Sequence, residues 1–345
     1  MLALGLLSGG LDSSLAVKHV MDQGVEVIAL KFTSPFCQCD SGGKCHAADL
    51  VNKLGIKLIT VPVGEEYFEV VRNPKFGRGS GMNPCIDCRI FMLKRAKKIA
   101  EELGARFIFT GEVIGQRPMS QHRKALEIIE REAGLEGRLL RPLCAKLMPE
   151  TEAEKMGWIN RNALLGISGR GRRAQIRLAS DKGINDYPCP AGGCLLTSKD
   201  FASKLRDFLG HNPHELTIRD VAMLKIGRHF RVGDHKVIVG RNEAENALLR
   251  AHAHDHDGYS LLEPLTIPGP VCLAESHDPG LLKIAASIVS RYSDNNGSDV
   301  LVKVMNHEEI LIKARPGRPD EIDPLRIGWM SARSLPPGKL WPGIM

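Results

Sequence analysis

The chain has 345 residues, 43% hydrophobic and 25% charged, an ordinary globular composition with room for two or three cores. Its 5% aromatic content argues against binding through long rows of stacked rings, and a net charge of +7 suits a polyanionic partner. No apolar run approaches the roughly 20 residues that span a bilayer, and residues 1–7 are too short and lack the basic head of a signal peptide, so a cytoplasmic location without a membrane partner is expected.

Residues 2–7 read as an apolar strand and 13–23 as the helix after it. Strand 25–32, helix 45–54, strand 57–61 and a helix near 65–72 follow. Residues 73–83 are rich in Gly, Asn and Pro and read as a loop. Apolar residues recur at helical spacing over 86–103. Then come a strand at 106–110 and a loop at 111–118. This alternation predicts an α/β fold, a parallel sheet with helices on both faces. Such sheets bind ligands at the carboxyl ends of their strands. The loops after Leu7, Phe32 and Thr110 are therefore expected to meet at one site. Residues 161–182 hold Arg161, Arg170, Arg172, Arg173, Arg177 and Lys182 against a single acid, Asp181. A helix is expected near 199–209 and a linker at 210–213. The predicted domains are thus 1–209 and a smaller α+β domain, 210–345. The second domain shows a hairpin of 228–232 and 236–240 across Gly233-Asp234, helices at 243–251 and 281–292, and a further hairpin of 300–304 and 309–313. Residues 316–345 read as irregular, and no internal repeat is present.

Ser8-Gly9-Gly10-Leu11-Asp12-Ser13-Ser14 joins the first strand to the first helix. Without β-carbons, Gly9 and Gly10 let backbone N–H groups close around an anion, Ser8, Ser13 and Ser14 add hydroxyl donors, and the helix supplies its positive end. No lysine is present, so this is not the Gly-x-x-x-x-Gly-Lys-Ser/Thr loop.

This segment resembles the PP-loop of the ATP pyrophosphatase superfamily, whose members adenylate a substrate oxygen and release pyrophosphate. Thr110-Gly111-Glu112-Val113-Ile114-Gly115-Gln116, with Ser120-Gln121, resembles the Gly-Glu-x-x-Gly-Gln segment of tRNA 4-thiouridine synthetases. Leu140-Arg141-Pro142-Leu143 resembles the Arg-Pro-Leu segment that follows it there, and Cys45-His46-Ala47-Ala48 resembles the tRNA 2-thiouridylases. The resemblance covers about the first 200 residues. The RNA-binding region that precedes the PP-loop in the 4-thiouridine synthetases, and their C-terminal rhodanese-like domain, are expected to be missing. RNA binding and sulfur delivery are therefore expected to be arranged differently.

Nine cysteines, eight of them before residue 195, suit ligands or nucleophiles in a reducing compartment. Cys85 and Cys88 form a C-x-x-C at a helix start, where two thiolates can face one metal. A second group, Cys189-Pro190-Ala191-Gly192-Gly193-Cys194, contains a Gly-Gly turn. Some PP-loop tRNA thiolases hold a 4Fe–4S cluster on three cysteines, leaving one iron open for sulfide. The resemblance thus implies Cys85, Cys88 and Cys194 as ligands, with Cys189 the alternative third. Zinc, or a redox pair without metal, are the competing readings of the C-x-x-C. Cys37, Cys39 and Cys45 are expected in a flexible loop beside the ATP site, and Cys144 and Cys272 as buried residues without a special role.

Arg170, Arg172 and Arg173 lie in a flexible cationic stretch suited to phosphate contacts. His252, His254 and His256 alternate and are read as a polar loop rather than a metal site. Phe230-Arg231-Val232-Gly233-Asp234 and Val239-Gly240-Arg241-Asn242-Glu243-Ala244-Glu245-Asn246 resemble the NFACT-R type RNA-binding domain. Independently of that, Arg228, Arg231, Lys236 and Arg241 would make the hairpin basic. A domain that merely forms a homodimer is the alternative.

Together these readings predict an ATP-dependent tRNA sulfurtransferase. Ser8, Gly9, Gly10, Asp12, Ser13, Ser14, Gly111 and Gln116 would hold ATP and Mg2+, with adenine against the backbone near Phe32. Asp12, Cys85, Cys88 and Cys194 would carry the chemistry, and a 4Fe–4S cluster is the expected cofactor. The partners are tRNA and a sulfur donor, either sulfide or a persulfide carrier. The alternatives are a persulfide on Cys88 or Cys194 without a cluster, and a PP-loop ligase or amidotransferase acting on a small molecule.

Overall fold

The structure is a computed structural model that describes residues 1–38, 45–184, 187, 193–254, 258–306 and 309–328. The chain divides into two compact units, Met1–Ser198 with Leu216–Ile218, and Lys199–Glu215 with Arg219–Met345.

The first unit runs β1 (Leu2–Leu6), α1 (Leu11–Met21), β2 (Glu26–Thr33), α2 (His46–Leu54), β3 (Lys57–Pro62), α3 (Glu66–Arg72), α4 (Cys85–Leu103), β4 (Phe107–Thr110), α5 (Arg123–Ala133), β5 (Leu139–Leu140), α6 (Glu152–Lys155) and α7 (Arg173–Asp181). Its five strands are all parallel in the order β3-β2-β1-β4-β5. Every residue of β4 is buried, as is β1 after its first residue, because both faces are covered. Ala3 and Phe109 pack with Leu11, Leu15 and Leu50 from α1 and α2. Leu4, Leu6 and Ile108 pack with Ile90 and Leu93 of α4 and Ile129 of α5 on the other face. The chain leaves β1 toward β2 on one side and returns to β4 on the other. The switch point, where such sheets bind ligands, therefore lies between the carboxyl ends of β1 and β4.

The second unit runs α8 (Lys199–His211), α9 (Ile218–Lys225), β6 (Arg228–Val232), β7 (His235–Val239), α10 (Glu243–His254), β8 (Ser260–Pro264), β9 (Cys272–Ala274), α11 (Pro279–Arg291), β10 (Val300–Met305), β11 (Glu309–Ala314) and α12 (Pro319–Ile322). Six antiparallel strands stand in the order β11-β10-β8-β9-β7-β6. One face packs Phe230, Val237 and Val302 against Leu282, Ala285 and Val289 of α11. The other packs Ile238, Leu261 and Leu273 against Leu249 of α10. Asp278 caps α11 by accepting from the Leu281 N–H at 2.8 Å, with Pro279 at the first helical position.

The break between the units falls ahead of the helix that ends near the expected boundary at 209. Polar ties explain this. Arg231 grips Asp207 of α8 through Nε at 3.1 Å and Nη2 at 2.6 Å, and buried Lys204 of the same helix donates to the Gly227 carbonyl at 3.1 Å. The expected linker begins inside α8, which includes Gly210 and His211. Helices α5, α6, α7, α9 and α12 and strands β5, β8 and β9 were not expected. His252 and His254 lie at the end of helix α10 rather than in a loop, while His256 is outside the described residues. The hairpin cations are largely engaged within the fold. Lys236 is buried 3.7 Å from Asp207, and Arg228 donates to the Gly240 carbonyl at 3.0 Å and lies over the Tyr292 ring. Among the described residues no helix is long and apolar enough to cross a membrane.

Gly5 sits in β1 beneath Phe109, and a β-carbon there would come within 2.9 Å of Phe109 Cε1. Gly5→Ala is expected to overpack the sheet and lower the unfolding free energy by about 1–3 kcal/mol, read as a fall in the thermal midpoint. In the second unit, burial and then the neighbouring Lys236 and Lys204 hold His229 well below its ordinary pKa, so it stays neutral in the fold. The unfolded chain binds a proton here below about pH 6.5 while the fold does not, so stability falls as pH drops. Urea midpoints measured at about pH 7.5 and about pH 5.5 should differ less for His229→Gln than for the wild type.

Candidate functional site

The segment between β1 and α1 has the shape of an anion cradle. Gly9 has φ +79°, a left-handed conformation natural to glycine, and a β-carbon there would sit 2.9 Å from the Ala47 nitrogen at the start of α2. Gly10 precedes the first turn of α1 in extended conformation. Its carbonyl accepts from the Ser14 N–H at 3.0 Å, the Ser13 hydroxyl at 2.9 Å and the Ser14 hydroxyl at 3.0 Å. Ser13 and Ser14 thus brace the loop, and the Ser8 hydroxyl at its exposed mouth lies 3.2 Å from Ser13 Oγ and accepts from the Gly10 N–H at 3.4 Å. The first-turn N–H groups, which a helix cannot itself use, are available to a ligand.

The loop after β4 lies directly on this turn. A β-carbon on Gly111 would come within 2.5 Å of the Asp12 carbonyl and the Ser13 nitrogen. Gln116 Nε2 donates to Asp12 Oδ2, and buried Gln175 of α7 donates to Gln116 Oε1 at 2.9 Å. Arg172 Nη2 stands 3.9 Å from Asp12 Oδ2. The basic stretch is therefore partly ordered here. Ser168 bridges Ile114, the Gly169 N–H donates to the Ile114 carbonyl at 2.7 Å, and Arg173 begins α7. Arg170 and Arg173 remain exposed. Phe32 lies half-buried near the end of β2, paired with Val61.

Two residues beside the loop carried no sequence signal. Lys31 is buried at 3% exposure, and its Nζ donates to Cys45 Sγ at 3.0 Å at the start of α2. Arg117, whose side chain is partly desolvated, interacts electrostatically with Cys85 and Asp12. Desolvation first, then repulsion from Arg89 and Arg172, lowers its pKa, and Cys85 and Asp12 oppose that shift. Arg117 therefore links the loop electrostatically to the cysteines.

Cys85 and Cys88 open α4, and Asn83 Nδ2 donates to Cys85 Sγ at 3.1 Å. Distant Cys194 is brought to them by backbone pairing. Cys194 bridges Cys37, the Leu195 N–H donates to the Phe36 carbonyl at 2.9 Å, and the Met82 N–H donates to the Leu196 carbonyl at 2.8 Å. Gly193 is required in this clamp, because a β-carbon would meet Gln38 Cβ at 2.5 Å. Phe36, Phe68, Tyr67 and Phe91 form a contiguous aromatic wall, and Tyr67 hydrogen-bonds Cys88. Burial pushes the Cys88 thiol up to about 11 and the Cys194 thiol up to about 12, so neither is a ready thiolate. Each of these two thiols senses Cys85 and Cys37 electrostatically. Cys37 and Cys45 thus sit in ordered structure, whereas Cys39 and Cys189 lie outside the described residues.

Among the described residues no three His, Cys, Asp or Glu side chains converge on one metal ion. Cys85, Cys88, Cys194 and Cys37 instead lie near enough to influence one another electrostatically. That donor set suits a multi-iron cluster, whose cysteines bind separate irons and deprotonate when they bind.

Beneath the site lies Glu112. Its carboxylate accepts from Thr110 at 3.1 Å and from Arg141 Nε at 3.0 Å, with Arg89 Nε at 3.3 Å. Arg141, 1% exposed, also pairs with Glu130. Burial pushes the Glu112 carboxyl up, but Arg141 and Arg89 outweigh it and the net shift is downward. Its stabilising contribution is therefore present above about pH 4.3 and is lost as pH falls through the lower folded value. Arg141→Met, which takes the buried guanidinium away from Glu112 and Glu130 and leaves Glu112 only Arg89 and Thr110, is expected to reduce the unfolding free energy by about 3 kcal/mol in urea titrations.

Residues 2–149 match the family model described as "Thiamine biosynthesis protein (ThiI)", and residues 227–325 match "NFACT protein RNA binding domain". The chain is 26% identical over 286 residues to the tRNA-specific 2-thiouridylase MnmA of Tolumonas auensis, covering 72% of this chain and 73% of that one. It is 22% identical over 278 residues to the Listeria monocytogenes MnmA, covering 73% and 71%. Among solved structures, a 4-thiouridine synthetase in complex with RNA and ATP aligns with TM-score 0.38 and 24% identity over 65% of this chain, which spans 52% of that chain. The U34-tRNA thiolase NcsA of Methanococcus maripaludis, with its [4Fe-4S] cluster, aligns with TM-score 0.32 and 16% identity, covering 65% and 69%. Residues 2–149 are thus similar to the ThiI family, in one chain with a segment similar to the NFACT RNA-binding domain.

Proposed function

We propose that this chain is an ATP-dependent tRNA sulfurtransferase, which adenylates a uridine base and replaces its oxygen with sulfur to give 4-thiouridine or 2-thiouridine. The observation that carries the reading is the meeting of two chemistries. A glycine-rich helix start suited to phosphate and a group of half-buried thiols, Cys85, Cys88 and Cys194, both lie at helix and loop starts of the same parallel-sheet unit. The ThiI family match and the 2-thiouridylase relatives support tRNA as substrate.

In this mechanism the first-turn N–H groups of α1 and the Ser8 hydroxyl bind the phosphates of ATP. Asp12 offers one carboxylate oxygen to Mg2+, and adenine lies against the backbone near Phe32. Arg117 and Arg172 stabilise the negative charge that gathers on the leaving pyrophosphate. The base carbonyl oxygen attacks the α-phosphorus and the α–β bond breaks. The adenylated base then has AMP as its leaving group, and sulfur takes its place at the carbon. The base reaches this site by leaving its stack, with Arg170 and Arg173 against the RNA backbone. Cys85, Cys88 and Cys194 would hold a 4Fe–4S cluster, which supplies an open iron site for sulfide.

Anaerobically purified protein should contain about four irons and four sulfides per chain and absorb broadly near roughly 400 nm. With ATP, Mg2+, tRNA and sulfide it should form AMP and thiouridine in equal amounts. Cys85→Ala and Cys194→Ala should each abolish thiolation while leaving ATP binding intact. Full activity of iron-free protein would overturn the cluster and favour a persulfide on Cys88 or Cys194. Weak tRNA binding that does not fall with salt would overturn the RNA substrate and favour a small-molecule ligase.

A further inference from the structure

Gln175 belongs to no motif in the sequence, yet it is the most deeply buried polar side chain near the phosphate loop, with 0% exposure. It lies on α7, behind the loop that follows β4. Its Nε2 donates to Gln116 Oε1 at 2.9 Å, and Gln116 Nε2 in turn donates to Asp12 Oδ2. A carboxamide has a donor end and an acceptor end of nearly equal size. A partner at one end therefore decides what the other end offers. Because Gln175 donates, Gln116 turns its NH2 group to Asp12. That bond occupies one carboxylate oxygen, with Arg172 beside it at 3.9 Å. The other oxygen, Asp12 Oδ1, is buried and has no hydrogen-bond partner among the described residues. A buried carboxylate oxygen left without a partner is costly unless a ligand meets it.

We propose that Gln175 is a positioning residue for the metal of the bound nucleotide: through Gln116 it fixes the Asp12 carboxylate so that Oδ1 faces the Mg2+ that accompanies ATP. The inference rests on the ATP reading of the loop and adds a residue whose own atoms touch neither nucleotide nor metal. It also makes the polarity of the chain testable. In Gln175→Glu the carboxylate can only accept. Gln116 then reverses its amide, its oxygen confronts Asp12, and Oδ1 loses its orientation. When that glutamate is protonated it donates again, as the amide did. Gln175→Met removes the polar contact without imposing a reversal.

The test is a titration of Mg2+ into protein with saturating ATP, followed from about pH 6 to about pH 9, with metal-free ATP binding as the control for folding. Wild type should bind Mg2+ with the same affinity throughout. Gln175→Glu should match it at the acid end and weaken by about tenfold or more at the alkaline end, as the buried carboxyl ionises. Gln175→Met should show a smaller deficit that does not vary with pH. Metal-free ATP affinity should be the same in all three. If both variants match wild type at every pH, the positioning role is overturned and the ATP reading stands. If wild type binds no nucleotide, the ATP reading is overturned and this inference with it. A pH-independent deficit in both variants would also overturn the proposal, because it would mark only a packing role.

Discussion

The contact on which the site depends is that of Gly111 with the first turn of α1. A parallel strand pair sets β1 and β4 side by side, and the chain leaving β4 must cross the helix that leaves β1. Only a residue without a β-carbon fits at position 111, because a β-carbon there would come within 2.5 Å of the Asp12 carbonyl and the Ser13 nitrogen. Three other features follow from that approach. Gln116 reaches Asp12, Glu112 drops into the protein to meet Arg141 and Arg89, and Ile114 offers its carbonyl to the basic stretch at Gly169. A β-carbon at this one position would push the whole second loop off the first.

Charge is arranged in two layers below and around this contact. Underneath, Glu112, Arg141 and Glu130 form a nearly dry network that holds the loop base through charge-assisted hydrogen bonds. Above, Arg117 and Arg172 face the cleft with their positive charge toward Asp12. The thiols occupy a more apolar wall, where burial favours the neutral form.

The second unit shows how a basic sequence can differ from a basic surface. Arg231 and Lys236 surround Asp207, Arg241 grips Glu245, and Arg228 lies on Tyr292. The Val-Gly-Arg-Asn segment has a structural purpose as well. Glu245 accepts from the N–H groups of Gly227 and Arg241, and Asn246 accepts from that of Val271, tying α10 to the sheet. Side chains that read as ligands for a polyanion are also the ties that close this unit.

The sequence by itself determined the parallel sheet, the glycine-rich turn ahead of α1 and the C-x-x-C. Strand–helix alternation, a glycine pair ahead of a helix and two cysteines three residues apart are local patterns whose geometry follows from neighbouring residues alone. It also pointed to Gly111, Gln116 and Cys194 as members of the site, through their resemblance to known segments. Tertiary structure alone decided how they meet. Cys194 joins Cys85 because residues 36–38 and 82 pair with residues 193–196 from distant parts of the chain. Lys31, Arg117 and Gln175 were invisible for the same reason. None was singled out within its stretch, because its meaning lies in a partner 14 or more positions away. The basic stretch read as flexible because its charges argue for solvent, whereas the N–H of Gly169 and the amide of Gln175 anchor it to a loop that no local pattern placed beside it. Local propensity acts over a few residues, while burial and hydrogen-bond satisfaction act across the whole fold, so chemistry that depends on the latter is settled only when the chain closes.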